Sequence, residues 1–152
     1  MEADMSVCRG AVVVGHDGST HSDCAVQWGH EDAQRRGVPL VVLRAWTIKS
    51  APKPATFEPG YVPSEDEFAE AVHGQLADDV TSALGVEAGS QLVLLPVHES
   101  AKDALIRASE VAAVVVVASR GKGLARALLG STSEHLIKQA RGPVTVVPQP
   151  IA

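Results

Sequence analysis

The sequence predicts an α/β protein with one five-stranded parallel sheet and helices on both faces. Short runs rich in valine and leucine alternate with stretches of helical periodicity, in the order β-α-β-α-β-α-β-α-β. This alternation implies right-handed crossovers, which place the parallel strands in a single sheet. The composition agrees with this class. Of the 152 residues 45% are hydrophobic but only 3% are aromatic, and small aliphatic side chains suit strands that are buried on both faces.

Two strands and one helix are predicted at the start of the chain. Residues 10–15 and 40–46 are apolar runs with the length of buried strands. Helical periodicity covers residues 21–36, and Gly37 is placed to end that helix as a C-terminal cap. One face of the predicted helix carries Ala25, Trp28 and Ala33.

A long segment without periodicity, residues 47–63, follows the second strand and contains four of the nine prolines. It is predicted to be a surface loop, which either serves as a lid or contact surface or is a tolerated insertion. Ser64 and Glu67 then form a capping box that opens a helix. We expect Gln75 and Asp79 to face outward from it. The apolar stripe of this helix is predicted to be Phe68, Val72, Leu76, Val80 and Leu84.

The second half of the chain predicts three more strands. Residues 91–97 form the third, in which Pro96 favours an edge position because proline cannot donate a ladder hydrogen bond. Residues 114–117 and 144–147 form the fourth and fifth strands. Ser100 is placed to cap the helix after the third strand. The inner face of that helix is predicted to be Ala101, Ala104, Leu105 and Ala108.

A second capping box, from Ser131 to Glu134, is predicted to open the last helix, which runs to Gln139. Its buried side is predicted to consist of Leu136, Ile137 and Ala140. The whole chain, residues 1–152, is expected to form one domain, with residues 1–9 as a loose lead-in.

Charge and cysteine usage limit the classes of partner. The net charge is −5, which argues against nonspecific binding to nucleic acid or to an anionic membrane, and we expect neither partner. No apolar stretch approaches the roughly 18 residues of a membrane span, and the N-terminus lacks the pattern of a signal peptide. Cys8 and Cys24 have no C-x-x-C spacing, which predicts reduced thiols and a cytoplasmic location.

The segment from residue 118 to residue 131 is the strongest candidate for a ligand site. Ligands of such sheets bind beyond the carboxyl ends of the strands, where the strand order reverses. Amides at the start of the last helix favour an anion. Three glycines allow close backbone approach and positive φ, and three cations lie among them. These residues are Gly121, Gly123 and Gly130, and Arg120, Lys122 and Arg126.

The same segment is also compatible with an ordinary strand-to-helix connection. In that case Ser131 only caps the helix and the cations are solvated. Two familiar phosphate motifs are excluded. Lys122 is not followed by the Ser or Thr that a P-loop requires, and no G-x-G-x-x-G follows the first strand.

Three residues near strand ends have competing roles. Asp17 either accepts a hydrogen bond from a ligand, or the first helix is capped through Asp17 or Ser19. Asp17, His16 and His21 lack the further ligands that a closed zinc site needs, so no metal site is predicted. Trp46 either edges a ligand pocket or closes the core, and the core position is favoured.

At this point the sequence resembles the universal stress protein family, over about residues 9–148. Five segments carry the resemblance, each at or near a predicted strand end. They are Val-Gly-His-Asp-Gly-Ser at 14–19, Arg-Ala-Trp at 44–46, Ala-Ser-Arg-Gly at 118–121, Leu-Leu-Gly-Ser-Thr-Ser at 128–133 and Pro-Val-Thr-Val-Val at 143–147.

The resemblance implies a Rossmann-like open sandwich of the adenine-nucleotide alpha-hydrolase-like type, and a stress-response regulatory protein that binds ATP, with Mg²⁺ held through the phosphates. It also implies a homodimer that pairs through the last strand. Gly15, His16 and Asp17 match the segment that lies along adenine and ribose, and Ala45 matches an apolar contact with adenine. The residues that match the ribose- and phosphate-binding segments are Ala118, Ser119, Arg120, Gly121, Gly130, Ser131, Thr132 and Ser133.

Several departures keep an alternative open. The first motif glycine is replaced by Ala118, eight residues instead of nine separate Gly121 from Gly130, and Arg44 stands where a histidine is common. The alternative is a dimeric interaction module that keeps the fold but has lost the nucleotide site. No catalytic residues are predicted, and any ATP hydrolysis is expected to be slow, because Asp17 alone is thin support for phosphoryl transfer.

Overall fold

The computed structural model describes residues 4–85, 91–119 and 129–149. The predicted strands are confirmed as β1 Val12–Gly15, β2 Leu40–Ala45, β3 Leu92–Val97, β4 Val114–Ala118 and β5 Val144–Val147. The predicted helices are confirmed as α1 Thr20–Arg36, α2 Glu65–Leu84, α3 Ala101–Ser109 and α4 Ser131–Gln139. A short 3₁₀ helix, Met5–Cys8, lies in the expected lead-in, and its Cys8 is nonetheless buried.

All five strands are parallel and lie in the order β3-β2-β1-β4-β5. The chain builds outward from β1 to β3 and then returns to add β4 and β5 on the other side of β1. The order therefore reverses between β1 and β4, where a ligand crevice is expected. β3 pairs with β2 and lies at an edge of the sheet, as Pro96 predicted.

Each face of the sheet carries its own apolar core. Valines alternate along β1, so that Val13 belongs to the core under α3 and α4, and Val12 and Val14 belong to the core under α1 and α2. The first core also receives Ala104, Leu105, Ala108 and Leu136 from its helices. The second receives Ala25, Val26, Ala33, Leu76 and Val80. The result is the predicted three-layer α/β/α sandwich.

Three of the four α-helices begin with a serine cap. The hydroxyl oxygens of Ser19, Ser64 and Ser100 each accept from an amide in the first turn. At Ser64 the predicted capping box is complete, because the Glu67 carboxylate also accepts from the Ser64 amide at 2.7 Å. Gly37 ends α1 in the left-handed conformation, as predicted.

The fourth α-helix begins differently, and its predicted capping box is wrong. The residue that precedes α4 is Gly130, which has no side chain to cap the helix, so Ser131 is already helical. The hydroxyl of Ser133 instead donates to the carbonyl of Ala118, at 2.5 Å. Gly130 has φ of −64°, so it does not use the positive φ that glycine allows. Among the residues that the structure describes, no side chain caps the first turn of α4.

Two predicted side-chain orientations are also wrong. Ile137 was expected inside, but it is 57% exposed, because Leu136 takes the buried position and the next residue is rotated by about 100° around the helix. Asp79 was expected to face outward, but its carboxylate accepts from Arg44 at 2.8 Å. A buried cation on the neighbouring strand thus draws the α2 carboxylate toward the sheet.

Residues 47–63 cover the end of β2 as a surface segment. Trp46 is buried, as predicted, and stacks on Phe68 of α2 and on the His98 ring. The large apolar side chains that this segment exposes are Ile48, Phe57, Tyr61 and Val62. Within the residues that the structure describes, no helix has the length and apolar character needed to cross a bilayer.

Candidate functional site

A cavity of about 310 Å³ opens at the carboxyl ends of β1 and β4, at the point where the strand order reverses. This volume is at the lower end of the range of small-molecule pockets. It is surrounded by the ends of the strands β1, β2 and β4 and by the first turns of the helices α3 and α4. Its lining comprises Gly15, His16, Asp17, Ser22, Leu43, Ala45, Ala101, Leu105, Val117, Ala118, Gly130, Ser131, Thr132 and Ser133.

The predicted site residues are largely brought together here. Nine of the twelve line the cavity and Ser119 does not, while Arg120 and Gly121 lie outside the residues that the structure describes. Ser119 is used in the backbone, where its amide donates to Val147 and its carbonyl accepts from Gly130. These two bonds connect the end of β4 to β5 and to the start of α4.

Sequence reasoning missed five lining residues. Three are core side chains that reach the cavity, one is a half-buried alanine at the start of α3, and the fifth is a polar residue in the first turn of α1. They are Leu43, Ala101, Leu105, Val117 and Ser22. Strand alternation could have found Leu43, because it comes two residues before Ala45, which was already predicted to line the site, and so lies on the same face of the sheet.

The turn from β1 into α1, residues 15–19, forms one wall of the cavity. Asp17 braces this turn, because one of its carboxylate oxygens accepts from the Ser19 amide at 2.9 Å and from the Ser22 hydroxyl at 2.5 Å. Its amide in turn lies 3.1 Å from the same hydroxyl oxygen. Ser19, and not Asp17, is the side chain that caps α1.

Asp17 keeps its negative charge at neutral pH. Desolvation works to raise the pKa of its carboxyl group, but the hydrogen bonds from Ser19 and Ser22 outweigh it, and the pKa is lowered from its ordinary value. The residue remains exposed. The turn therefore presents an ionised hydrogen-bond acceptor at the cavity wall.

Behind the turn lies a network of three charged side chains and the His16 ring, which sequence reasoning did not find. His16 is 4% exposed and Arg44 is 8% exposed, although both are polar. His16 contacts Asp23 of α1 at 3.0 Å and Arg44 of β2, and Arg44 also contacts Asp79 of α2. The only sequence signal was Arg44 itself, a cation within an apolar strand.

The first turn of α4 forms the opposite wall. Gly130 and Ser133 are buried, Thr132 is half-buried and Ser131 is exposed. Since the first four amides of a helix have no partner within the helix, and α4 lacks a side-chain cap, its N-terminus offers backbone donors at the cavity. The helix dipole adds partial positive charge at the same place.

Ala118 reaches the cavity from the last position of β4. Its side chain packs against the core under α1 and α2, in line with Val114 and Val116 on the same face of the strand. The methyl group is therefore shared with that core, and the backbone is the part of Ala118 that faces the start of α4. In the part of the chain that the structure describes, His, Cys, Asp and Glu side chains form no group of three that could hold a metal ion.

The sheet order and the cavity at its reversal point define the class of this protein. It is an α/β protein with a Rossmann-like fold of the adenine-nucleotide alpha-hydrolase-like type, the fold of its solved structural neighbours. The model of the universal stress protein family matches residues 9–148. The chain belongs to the universal stress protein family.

Two mycobacterial relatives illustrate the similarity in sequence. A universal stress protein of Mycobacterium tuberculosis is 36% identical over 144 residues, which is 90% of this chain and 47% of that protein. One of Mycolicibacterium smegmatis is 35% identical over 138 residues, again 90% of this chain and 47% of the relative. The chain thus spans about half the length of the curated relatives it matches.

Solved structures agree on the fold. A universal stress protein crystallised in complex with cAMP is 27% identical, with a TM-score of 0.64, and the match covers 92% of this chain and 97% of that one. A universal stress protein of Archaeoglobus fulgidus in complex with dAMP is 22% identical, with a TM-score of 0.60 and coverage of 91% and 98%. At 22% identity the second comparison supports the fold alone.

Proposed function

We propose that this protein is a stress-response regulator that binds an adenine nucleotide in the cavity between β1 and β4. The proposed ligand is ATP, with Mg²⁺ held through its phosphates. One observation carries the proposal: the uncapped N-terminus of α4 faces the cavity opposite the ionised Asp17.

The cavity has an apolar part and a polar part, which suits a nucleoside with a charged tail. Leu43, Ala45, Leu105 and Val117 provide apolar surface for a purine ring. The free carboxylate oxygen of Asp17 is available to a ribose hydroxyl, because the hydrogen bonds from Ser19 and Ser22 both go to the other oxygen. In this arrangement the base lies over the end of the sheet and the phosphates extend toward α4.

The contrast among the helix starts supports a phosphate site at α4. Serine side chains satisfy the first turns of α1, α2 and α3, whereas α4 begins at a glycine. Backbone amides at such a terminus bind anions, and glycine lets a phosphate approach closely. In sequence, Arg120, Lys122 and Arg126 come shortly before this terminus and add positive charge.

The related structure that contains cAMP, at 27% identity, supports the adenine-nucleotide class of the ligand. ATP is chosen because its triphosphate carries the most negative charge of the adenine nucleotides, which suits a helix N-terminus at the polar wall. Regulation requires that the nucleotide bind two conformations of the protein with different affinity. We propose that the two conformations differ in the exposed segment of residues 47–63 and at the dimer contact.

A charge placed at the α4 terminus tests the proposal. Ser131→Asp puts a carboxylate at the first, exposed position of α4, where the helix dipole favours it, so the melting temperature should rise slightly. The same carboxylate should repel a phosphate by about 1 kcal/mol per unit charge at 4 Å in water, which weakens ATP binding about fivefold or more. Calorimetric titration with Mg-ATP measures the affinity.

The matched control is Gln75→Glu, which adds the same charge on the exposed face of α2, away from the cavity. It should leave ATP affinity unchanged at physiological salt, where charges farther apart than about 8 Å are screened. If Ser131→Asp binds Mg-ATP as tightly as Gln75→Glu does, the phosphates do not bind at α4.

The alternative function is that of an interaction module without a nucleotide site. Its sequence support was Ala118 and the shortened spacing to Gly130. The packing of the Ala118 side chain against the opposite core weakens this support, because the methyl group does not occupy the α4 side of the strand. Absence of any melting shift at millimolar Mg-ATP would favour the alternative.

We also propose that the protein acts as a cytoplasmic homodimer that pairs through β5. This strand lies at the edge of the sheet, with β4 as its neighbour, and its four residues are only half-buried. Cys8 and Cys24 are free thiols, in keeping with a reducing compartment. Light scattering during size-exclusion chromatography tests the dimer, and a mass of one chain would contradict it.

A further inference from the structure

Arg44 is a buried cation on β2 that does not line the cavity. Its Nε donates to the carbonyl oxygen of His16 at 3.0 Å, and its Nη2 donates to an Asp79 carboxylate oxygen at 2.8 Å. The same Nη2 lies 2.5 Å from Nδ1 of His16. Arg44 therefore contacts both the backbone carbonyl and the ring of His16, and the Asp79 carboxylate balances the charge of the guanidinium.

These contacts determine which ring nitrogen of His16 carries the proton. Nδ1 faces two groups that can only donate, the Arg44 guanidinium and the Gly18 amide at 3.2 Å. Nδ1 must therefore be the acceptor. The proton lies on Nε2, which donates to the Asp23 carboxylate at 3.0 Å. His16 is the neutral Nε2–H tautomer.

Four charged groups face the His16 ring from the surrounding elements. Asp23 lies on α1, Arg44 on β2, Asp79 on α2 and Asp17 in the adjacent turn. Burial lowers the pKa of His16, the hydrogen bond to Asp23 raises it and the Arg44 charge lowers it, with a net decrease from the ordinary value. The ring stays neutral at physiological pH.

A proton on Nδ1 would be incompatible with this arrangement. The protonated nitrogen would face the two donors it now accepts from, so the guanidinium and the Gly18 amide would have to move away. Both contacts hold the β1–α1 turn, in which Gly15, His16 and Asp17 line the cavity. The wall of the cavity and the protonation state of His16 are therefore coupled.

We propose that Arg44 is a positioning residue for the nucleotide site. It holds His16 as the neutral Nε2–H tautomer, and the β1–α1 turn thereby stays in its binding conformation. The affinity for the nucleotide falls when His16 gains a second proton. This inference rests on the proposed function. Arg44 acts through His16 and does not itself contact the ligand.

The test compares the affinity for cyclic AMP between about pH 5 and about pH 8 in the wild type and three variants. Cyclic AMP is the probe because its phosphodiester keeps one negative charge over this range, whereas a terminal phosphate titrates near pH 6. The variants are Arg44→Met, Arg44→Lys and His16→Asn.

The wild type should bind most tightly at the upper end of the range and lose affinity as the pH falls. Arg44→Met removes a charge that lowers the pKa of His16, so the loss should begin at higher pH, and affinity at pH 8 should fall about tenfold. Arg44→Lys should keep the wild-type midpoint but bind less tightly, because an ammonium group cannot reproduce three oriented contacts. His16→Asn places an acceptor near Nδ1 that cannot titrate, so the pH dependence should disappear.

Arg44→Met leaves the Asp79 carboxylate without its partner, and the fold of each variant is checked by thermal melting. The double variant Arg44→Met/Asp79→Asn removes that carboxylate charge and keeps the test valid if the single variant does not fold. An Arg44→Met protein, single or double, with wild-type affinity and an unshifted pH midpoint would overturn the positioning role alone. A folded wild type that binds neither cyclic AMP nor ATP at pH 8 would overturn the proposed function, and the positioning role with it.

Discussion

Gly15 is the position where one added methyl group should affect both the core and the cavity. A Cβ built on Gly15 lies 2.9 Å and 3.2 Å from the two end carbons of Leu105, and 3.3 Å from Cγ1 of Val117. Favourable carbon–carbon contacts are about 3.5–4.0 Å, so Leu105 must move by roughly half an ångström. Leu105 is 2% exposed and belongs to the core under α3 and α4, which limits its movement on the side away from the cavity that it lines.

We therefore expect Gly15→Ala to lower the free energy of unfolding by about 1 kcal/mol, at the lower end of the range for overpacked cores, because the clash involves the flexible end of a side chain. Leu105→Ala alone should cost about 2–5 kcal/mol by leaving a cavity. In the double variant the new methyl group occupies part of that space, so the two effects should be less than additive by about 0.5 kcal/mol or more. Urea denaturation of the four proteins measures this cycle.

The matched control is Gly74→Ala. Gly74 is exposed within α2 and has no atom within 4 Å of its added Cβ, so the substitution should stabilise the protein by about 0.5–1 kcal/mol. Nucleotide affinity should fall in Gly15→Ala, whose methyl group enters the cavity lining, and stay constant in Gly74→Ala. Additive free energies for Gly15→Ala and Leu105→Ala, within about 0.3 kcal/mol, would refute the contact on which this reasoning depends.

Three further predictions concern a cap, a thiol and a titration. Ser100→Ala should lower the free energy of unfolding by about 1 kcal/mol because it removes the α3 cap, whereas Ser131→Ala should leave it almost unchanged. Equal decreases in the two variants, measured by urea denaturation, would contradict this difference in capping. Burial raises the pKa of the Cys8 thiol to about 11, and the charge of Arg107 opposes this with a smaller effect. Iodoacetamide at about pH 8 should therefore label Cys8 in the denatured protein but not in the native protein. Peptide mass spectrometry measures the labelling. The folded-state pKa of His16 is lowered, so the unfolded state binds the proton first, and stability should decline as the pH falls below about 6.5 toward the folded pKa. His16→Asn should flatten that part of the melting-temperature profile, and an unchanged slope would show that His16 is not the group responsible.

The sequence predicted the fold well because its signals are local and repeated. Each strand is a short apolar run. Pro96 indicated the edge strand because proline has no backbone N–H to donate, whatever its neighbours are. The capping box at Ser64 formed as predicted because its two hydrogen bonds involve residues three apart on one helix.

Two of the predictions that failed depended on distant neighbours. Residues 131–134 have the same capping pattern as residues 64–67, but the helix begins one residue earlier, after Gly130, so that Ser131 is already helical. In the same turn the Ser133 hydroxyl donates to the carbonyl of Ala118 on β4, a contact that no local pattern encodes. Asp79 lies on a helix face that periodicity marks as outer, yet it pairs with Arg44, 35 residues earlier in the chain. For the same reason the contacts of the His16 network could not be predicted from the sequence, because its members come from four separate elements.

Binding of an adenine nucleotide between β1 and β4 is tested most directly by nuclear magnetic resonance of the ¹⁵N-labelled protein titrated with Mg-ATP. We predict that the amide signals of Asp17, Ala45, Ala118 and Thr132 shift together as the cavity fills, while that of Gly74 on the outer face of α2 stays fixed. Shifts confined to residues away from the cavity, or no shifts at millimolar Mg-ATP, would contradict a nucleotide site at this point of the sheet.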